Sequence, residues 1–203
     1  VKIINNGTIV VENQGRAIGL EAGTAPVAEN NGTITVGALA EDAEQIIGVY
    51  ISDNVTNASF TNKKGGVINA AAEGAIAIGF YKGSNNTATL ATGSVTQGDI
   101  VVSSFTGSTD SPTASTSNIN IEKDASVTGD VIVKFGTAAL TGAEGAAVDG
   151  DLIAANGSAT VAEELTFNNV SVGAAAVATG DDSEAATNGN CLLYTSPSPR
   201  DRG

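Results

Sequence analysis

Short β-branched runs broken by Asn-Gly steps constrain this chain more than any other feature. Val1-Lys2-Ile3-Ile4 leads into Asn5-Asn6-Gly7, and Thr8-Ile9-Val10-Val11 follows. Asn30-Asn31-Gly32 feeds Thr33-Ile34-Thr35-Val36 in the same way, and Asn156-Gly157 separates Leu152-Ile153-Ala154-Ala155 from Ser158-Ala159-Thr160-Val161. Asn-Gly accepts the positive φ angles of a type I′ turn, so each phrase predicts a β-hairpin. Further short apolar runs lie between them, including Ile46 to Ile51, Ala75 to Phe80, Ile100 to Val102 and Val131 to Phe135, each bounded by Gly, Asn, Asp or Thr. Helix candidates are few: residues 38–45 would form a turn or two, and residues 70–73 less. Many short strands spaced by turns predict an all-β fold, a sandwich or barrel of antiparallel strands.

One phrase recurs. Val95-Thr96-Gln97-Gly98-Asp99-Ile100-Val101 is echoed by Val127-Thr128-Gly129-Asp130-Val131-Ile132 and by Ala147-Val148-Asp149-Gly150-Asp151-Leu152-Ile153. Gly-Asp before aliphatic residues reads as a turn feeding a strand. The uneven spacing argues against a solenoid and for equivalent hairpins in two related halves. Residues 103–118 are rich in Ser and Thr and have the composition of a linker or long loop. The expected division is a β domain over residues 1–102, the linker, and a second, truncated β domain over residues 119–190.

Composition narrows the function classes. Nine Lys and Arg stand against 22 Asp and Glu, a formal net charge of −13. Such a balance disfavours nucleic acid, whose binders neutralise phosphates with Lys and Arg, and disfavours anionic membrane surfaces. It keeps copies soluble and apart until a specific contact joins them. Histidine is absent, and the single cysteine is Cys191. The commonest general base, the usual partner of a Ser or Cys nucleophile, and the commonest zinc ligand are therefore missing. No apolar run reaches the ~20 residues of a membrane helix.

Carboxylate and oxygen-ligand chemistry remains to be weighed. Asp99, Asp130, Asp149 and Asp151 resemble calcium-loop residues singly, but a calcium loop packs several ligands into about a dozen positions. They read as turn aspartates. Asp181-Asp182-Ser183-Glu184 is denser and reads as a solvated charge run. Glu163 and Glu164 are a carboxylate pair without the aromatic residues that line sugar clefts. Asn6, Asn31, Asn54, Asn57, Asn85, Asn156 and Asn169 begin Asn-x-Ser/Thr sequons, which also serve as turn phrases. Lys63-Lys64-Gly65-Gly66 lacks the spacing of a phosphate loop and reads as an exposed hairpin tip that contacts an acidic neighbour. No residue is assigned as catalytic, cofactor-binding or metal-ligating.

The two ends stand apart. The chain starts at Val1 and contains no methionine, so the gene product is expected to be longer. Residues 191–203 open with Cys191-Leu192-Leu193-Tyr194-Thr195-Ser196-Pro197-Ser198-Pro199-Arg200-Asp201. These eleven residues resemble a translated transposon-end sequencing adapter, so the tail is expected to be non-native and lies outside fold reasoning.

The order Gly15-Arg16-Ala17-Ile18-Gly19-Leu20, Gln45-Ile46-Ile47-Gly48-Val49-Tyr50, Gly66-Val67-Ile68-Asn69-Ala70, Glu73-Gly74-Ala75-Ile76-Ala77-Ile78-Gly79 and the Gly98-Asp99 turn resembles the β-rich decoration (cement) and head-fibre proteins of tailed-phage capsids. The resemblance covers residues 15–102. It implies a virion protein that binds a capsid lattice as repeated copies, with capsid or other structural subunits as partners and no catalysis or cofactor. The alternative expectation is a secreted cell-surface, S-layer or adhesin β-protein that binds calcium.

Overall fold

The computed structural model describes residues 1–81, 83–103, 116–143, 145–162, 165–172 and 192–195. Every strand pairing among them is parallel. The chain winds as a coil in which each full turn contributes one strand to each of three sheets, A, B and C. The first coil is β1 (Lys2–Asn5), β2 (Thr8–Asn13) and β3 (Gly15–Leu20), followed by the short β4 (Gly23–Thr24). The second is β5 (Val27–Asn30), β6 (Thr33–Leu39) and β7 (Ile46–Ile51), followed by β8 (Val55–Thr56). The third is β9 (Ser59–Asn62), β10 (Val67–Asn69) and β11 (Ala75–Tyr81). The fourth is β12 (Asn86–Leu90), β13 (Val95–Gln97) and β14 (Asp99–Ser103), and the fifth β15 (Thr116–Ile121), β16 (Ser126–Thr128) and β17 (Val131–Val133).

Two reduced coils follow, β18 (Thr137–Gly142) with β19 (Leu152–Ala154), then β20 (Ser158–Ala162) with β21 (Val170–Val172). In these coils single parallel bridges, Thr128 to Asp149 and Ala147 to Thr166, hold the place of sheet B. The last strand, β22 (Leu192–Thr195), pairs with β20 at the edge of sheet A.

All-β character is as expected, but the antiparallel sandwich or barrel is not what forms. The chain is a parallel solenoid, and the uneven spacing that argued against one has a simple source. Equivalent positions lie 25 residues apart between Asn5 and Asn30, 32 between Asn30 and Asn62, 31 between Asp99 and Asp130, and 21 between Asp130 and Asp151. Each coil needs its strands in register, and the loops between strands vary in length without disturbing that register.

The predicted hairpins are corners. Asn5-Asn6-Gly7 joins β1 of sheet A to β2 of sheet B, and Asn30-Asn31-Gly32 joins β5 to β6 likewise. Asn156-Gly157 joins β19 of sheet C to β20 of sheet A. None of Asn6, Gly7, Asn31, Gly32, Asn156 or Gly157 has a positive φ, so no type I′ turn forms. Gly32 serves clearance instead: a Cβ there would run into the carbonyl oxygen of Gly7 in the coil before it. The helices expected at 38–45 and 70–73 are also absent. Residues 33–39 form β6, because Ile34 and Val36 alternate inward with strand period and are buried.

Inward side chains stack in columns from coil to coil. Sheet A carries Ile3, Ala28, Phe60, Ala88, Ile119, Leu140 and Val161 in register. Small and large residues alternate in the first four, so Phe60 fills the space left by its Ala neighbours, as close packing requires. Sheet C stacks Ile18, Val49, Ile78, Ile100, Val131 and Leu152. One apolar cluster runs from Ile18 to Leu165. The pairings β12–β15, β13–β16 and β14–β17 cross residues 104–115, so the expected ranges 1–102 and 119–190 share all three sheets. The linker and the Ala/Gly/Asp-rich residues 173–190 lie mainly outside the described residues.

Candidate functional site

The polar residues singled out in the sequence gather at the solenoid corners, where they bond to the coil before or after. Gly98-Asp99, Gly129-Asp130 and Gly150-Asp151 stack directly at the corner from sheet B to sheet C. The Asp130 backbone N–H donates to Asp99 Oδ1 at 2.9 Å, and the Asp151 N–H donates to Asp130 Oδ1 at 2.8 Å. Asn169 Nδ2 donates to Asp151 Oδ1 at 2.9 Å and Asn168 Nδ2 to Asp149 Oδ1 at 3.1 Å. The recurring phrase is therefore one corner repeated in successive coils, not hairpins of two halves. Asp99 and Asp130 thus hold backbone amides of the next coil, and Asp149 and Asp151 hold asparagine side-chain amides. Among the described residues no group of three or more His, Cys, Asp or Glu could hold a metal ion.

A second ladder occupies the corner from sheet A to sheet B and is buried. Asn5 Nδ2 donates to Asn30 Oδ1 at 2.8 Å, and Asn30 Nδ2 to Asn62 Oδ1 at 2.9 Å. Asn62 Nδ2 then donates to the Val95 carbonyl at 2.9 Å and to Thr96 Oγ1 at 3.2 Å. A buried amide side chain is costly unless its donors and acceptors are met, and the stack meets them coil by coil. The ladder then ends, because the register partners of Asn62 are Leu90 and, next, Ile121. This ladder was missed in the sequence. The signal was present as Asn5, Asn30 and Asn62, each at the end of a β run and followed within three residues by glycine.

The sequons divide between ladder and surface. Asn31 Nδ2 donates to Asn6 Oδ1 at 2.9 Å, and Asn85 Nδ2 to Asn57 Oδ1 at 2.6 Å, both exposed. Asn169 belongs to the aspartate ladder. Lys63 lies at the corner between β9 and β10, not at a hairpin tip. Its Nζ is 3.7 Å from Glu29 Oε1, which also meets Lys2 Nζ at 3.2 Å; the acidic neighbour lies within the chain. Glu163, Glu164 and residues 181–184 lie outside the described residues.

The outer face of sheet C holds the remaining features. Tyr50 and Tyr81 stack with centroids 5.0 Å apart, and the Arg16 guanidinium lies 3.5 Å over the Tyr50 ring while bonding Glu21 Oε1 at 2.7 Å. Burial, with Tyr50 adding to it, pushes the Tyr81 phenol well above the ordinary tyrosine value. Tyr50 lies in register between Gly19 and Gly79; a Cβ on Gly79 would run into the Tyr81 ring, and one on Gly19 into the Glu21 side chain. Further along, a groove of about 500 Å³ is lined mainly by Ala, Gly, Ile and Val with Asp99 and Lys134. Asp99 Oδ1 in this groove accepts the Asp130 backbone amide. Comparison of the chain with protein-family models, curated proteins and solved structures finds no match.

Proposed function

We propose that this chain is a virion structural protein of the capsid-decoration or fibre type. It acts through contacts with capsid or other structural subunits and with its own copies, without catalysis. The observation that carries the reading is where its polar groups go. Asn30 and Asn62 sit inside the stack, and Asp99 and Asp130 each hold an amide of the next coil, so the groups available for chemistry serve architecture. A solenoid of this kind presents long, regular lateral faces suited to repeated contacts. The phage-protein resemblance of residues 15–102 and the acidic balance support the virion setting.

The test is long-read sequencing of the source DNA across this locus. Capsid, portal or tail genes alongside support the proposal. A secretion signal upstream or a cell-wall anchor downstream overturns it in favour of a surface adhesin. The same reads examine the tail: codons other than those for residues 191–203 are expected after Asn190, and finding those codons in native DNA sinks the adapter reading.

A further inference from the structure

At the corner from sheet B to sheet C the coils are unequal, and the inequality opens the groove. The third coil spends residues 70–74 between β10 and β11, whereas the fourth passes from β13 to β14 through Gly98 alone. The longer loop stands as a wall beside the outer face of sheet C. The floor is apolar: Ile76, Val101 and Ile132, from β11, β14 and β17. A charged side chain lines the groove toward each end of those strands. Asp99 opens β14, and Lys134 follows the last residue of β17. Ile100 pairs with Val131, so Asp99 is level with Asp130, and at ~3.3 Å per residue Lys134 lies about 13 Å further along the strand direction. Both charges are available: among the described residues Asp99 engages only Oδ1, with the Asp130 amide, and neither Asp99 nor Lys134 has an ion pair.

From this we infer that the groove is a docking site for an extended polypeptide segment of a partner subunit. The segment carries a Lys or Arg, an aliphatic residue and an Asp or Glu at alternate positions. In an extended chain residues i, i+2 and i+4 share one face and span about 13 Å, which matches the separation of Asp99 from Lys134. The cation meets Asp99, the aliphatic side chain covers Val101 and Ile132, and the carboxylate meets Lys134. A groove of about 500 Å³ with an apolar floor and a few placed polar groups has the usual form of a binding site. Opposite charges at its two ends fix the orientation of the segment, and a segment of uniform charge meets one repulsive end. The inference rests on the reading that the chain acts through contacts with other structural subunits, and it names the chemistry of one such contact. Capsid genes at the locus together with a failure of the binding test below would keep the virion setting and discard this site.

The experiment uses the full chain, isotopically labelled, and a synthetic peptide Thr-Lys-Thr-Val-Thr-Glu-Thr with blocked ends. Adding the peptide is expected to shift the amides of Ile76, Val101, Ile132 and Lys134 and those of residues 70–74. Shifts absent, or lying elsewhere, overturn the proposal. Lys134 is exposed, so Lys134→Glu leaves the fold intact; it is expected to weaken this peptide about tenfold and to restore binding to a peptide with Lys in place of Glu. Asp99→Asn keeps the acceptor for the Asp130 amide and removes the charge, and is expected to weaken the first peptide about fivefold. Equal binding by the native chain and both variants overturns the proposal, since the groove would then select only apolar surface. Displacement of the peptide by an equal concentration of a short ω-amino acid would show a small zwitterion to be the occupant. Concentration-dependent sedimentation of the chain alone, with protection of the same amides, would show a second copy to be the occupant. Either result overturns the assignment to a partner segment.

Discussion

At the scale of single residues, the buried asparagines carry more of this fold than their chemistry suggests in isolation. Asn30 is 0% exposed and bonded to the coils on both sides. Asn30→Ala leaves Asn5 Nδ2 only its long 3.4 Å bond to the Thr33 carbonyl and strips Asn62 Oδ1 of its Asn30 donor while both stay buried. The expected loss is about 2–4 kcal/mol by denaturant titration. Asn6→Ala removes only the exposed bond to Asn31 and is expected to cost less than about 0.5 kcal/mol. A comparable loss in both would show that burial does not set the value of a ladder bond. Tyr81 supplies a pH effect. Its folded value is raised from the ordinary 10.0, so above that pH the unfolded chain loses the proton first and binds fewer protons than the folded one. Stability therefore falls as pH rises through this range. Urea midpoints of the native chain are expected to drop above pH 10.0, and Tyr81→Phe to remove that part of the drop. Identical profiles for the two would contradict it.

Elements here are stabilised by their neighbours in the stack, so equivalent positions differ only in what lies on either side. Gly7 and Gly32 sit at the same corner of successive coils, neither with positive φ. Gly32→Ala brings a methyl group against the Gly7 backbone, which must shift. It is expected to cost about 1–3 kcal/mol, the range of overpacking. Gly7→Ala meets open space and is expected to stay within about 0.5 kcal/mol of neutral. Thermal unfolding of both variants reads the difference, and equal effects would mean the corner backbone, not coil stacking, selects glycine. The strands themselves were largely legible: most β-branched runs form strands, and the Gly-Asp phrase marks a true repeat. The partners of those strands were not legible. An Asn-Gly step between two strands has the same local chemistry whether the chain reverses to pair with itself or bends onward to pair one coil later.

For the molecule as a whole, that ambiguity decided the fold. A hairpin pays a small closure entropy, while parallel pairing across 25 residues closes a longer loop, a difference that grows only slowly with length. Local sequence cannot weigh it against the columns and ladders that form only once three coils are stacked. The acidic balance, the lack of histidine, the strand-rich character and the position of the corners follow from the residues alone. They depend on composition and on steric preferences within a few positions. Parallel pairing, the aspartate ladder at Asp99, Asp130 and Asp151, the buried asparagines, and the burial of Tyr50 and Tyr81 were decided by the tertiary structure. Each requires residues from different coils to come within bonding distance, and loops of unequal length hide that coincidence from any fixed sequence period.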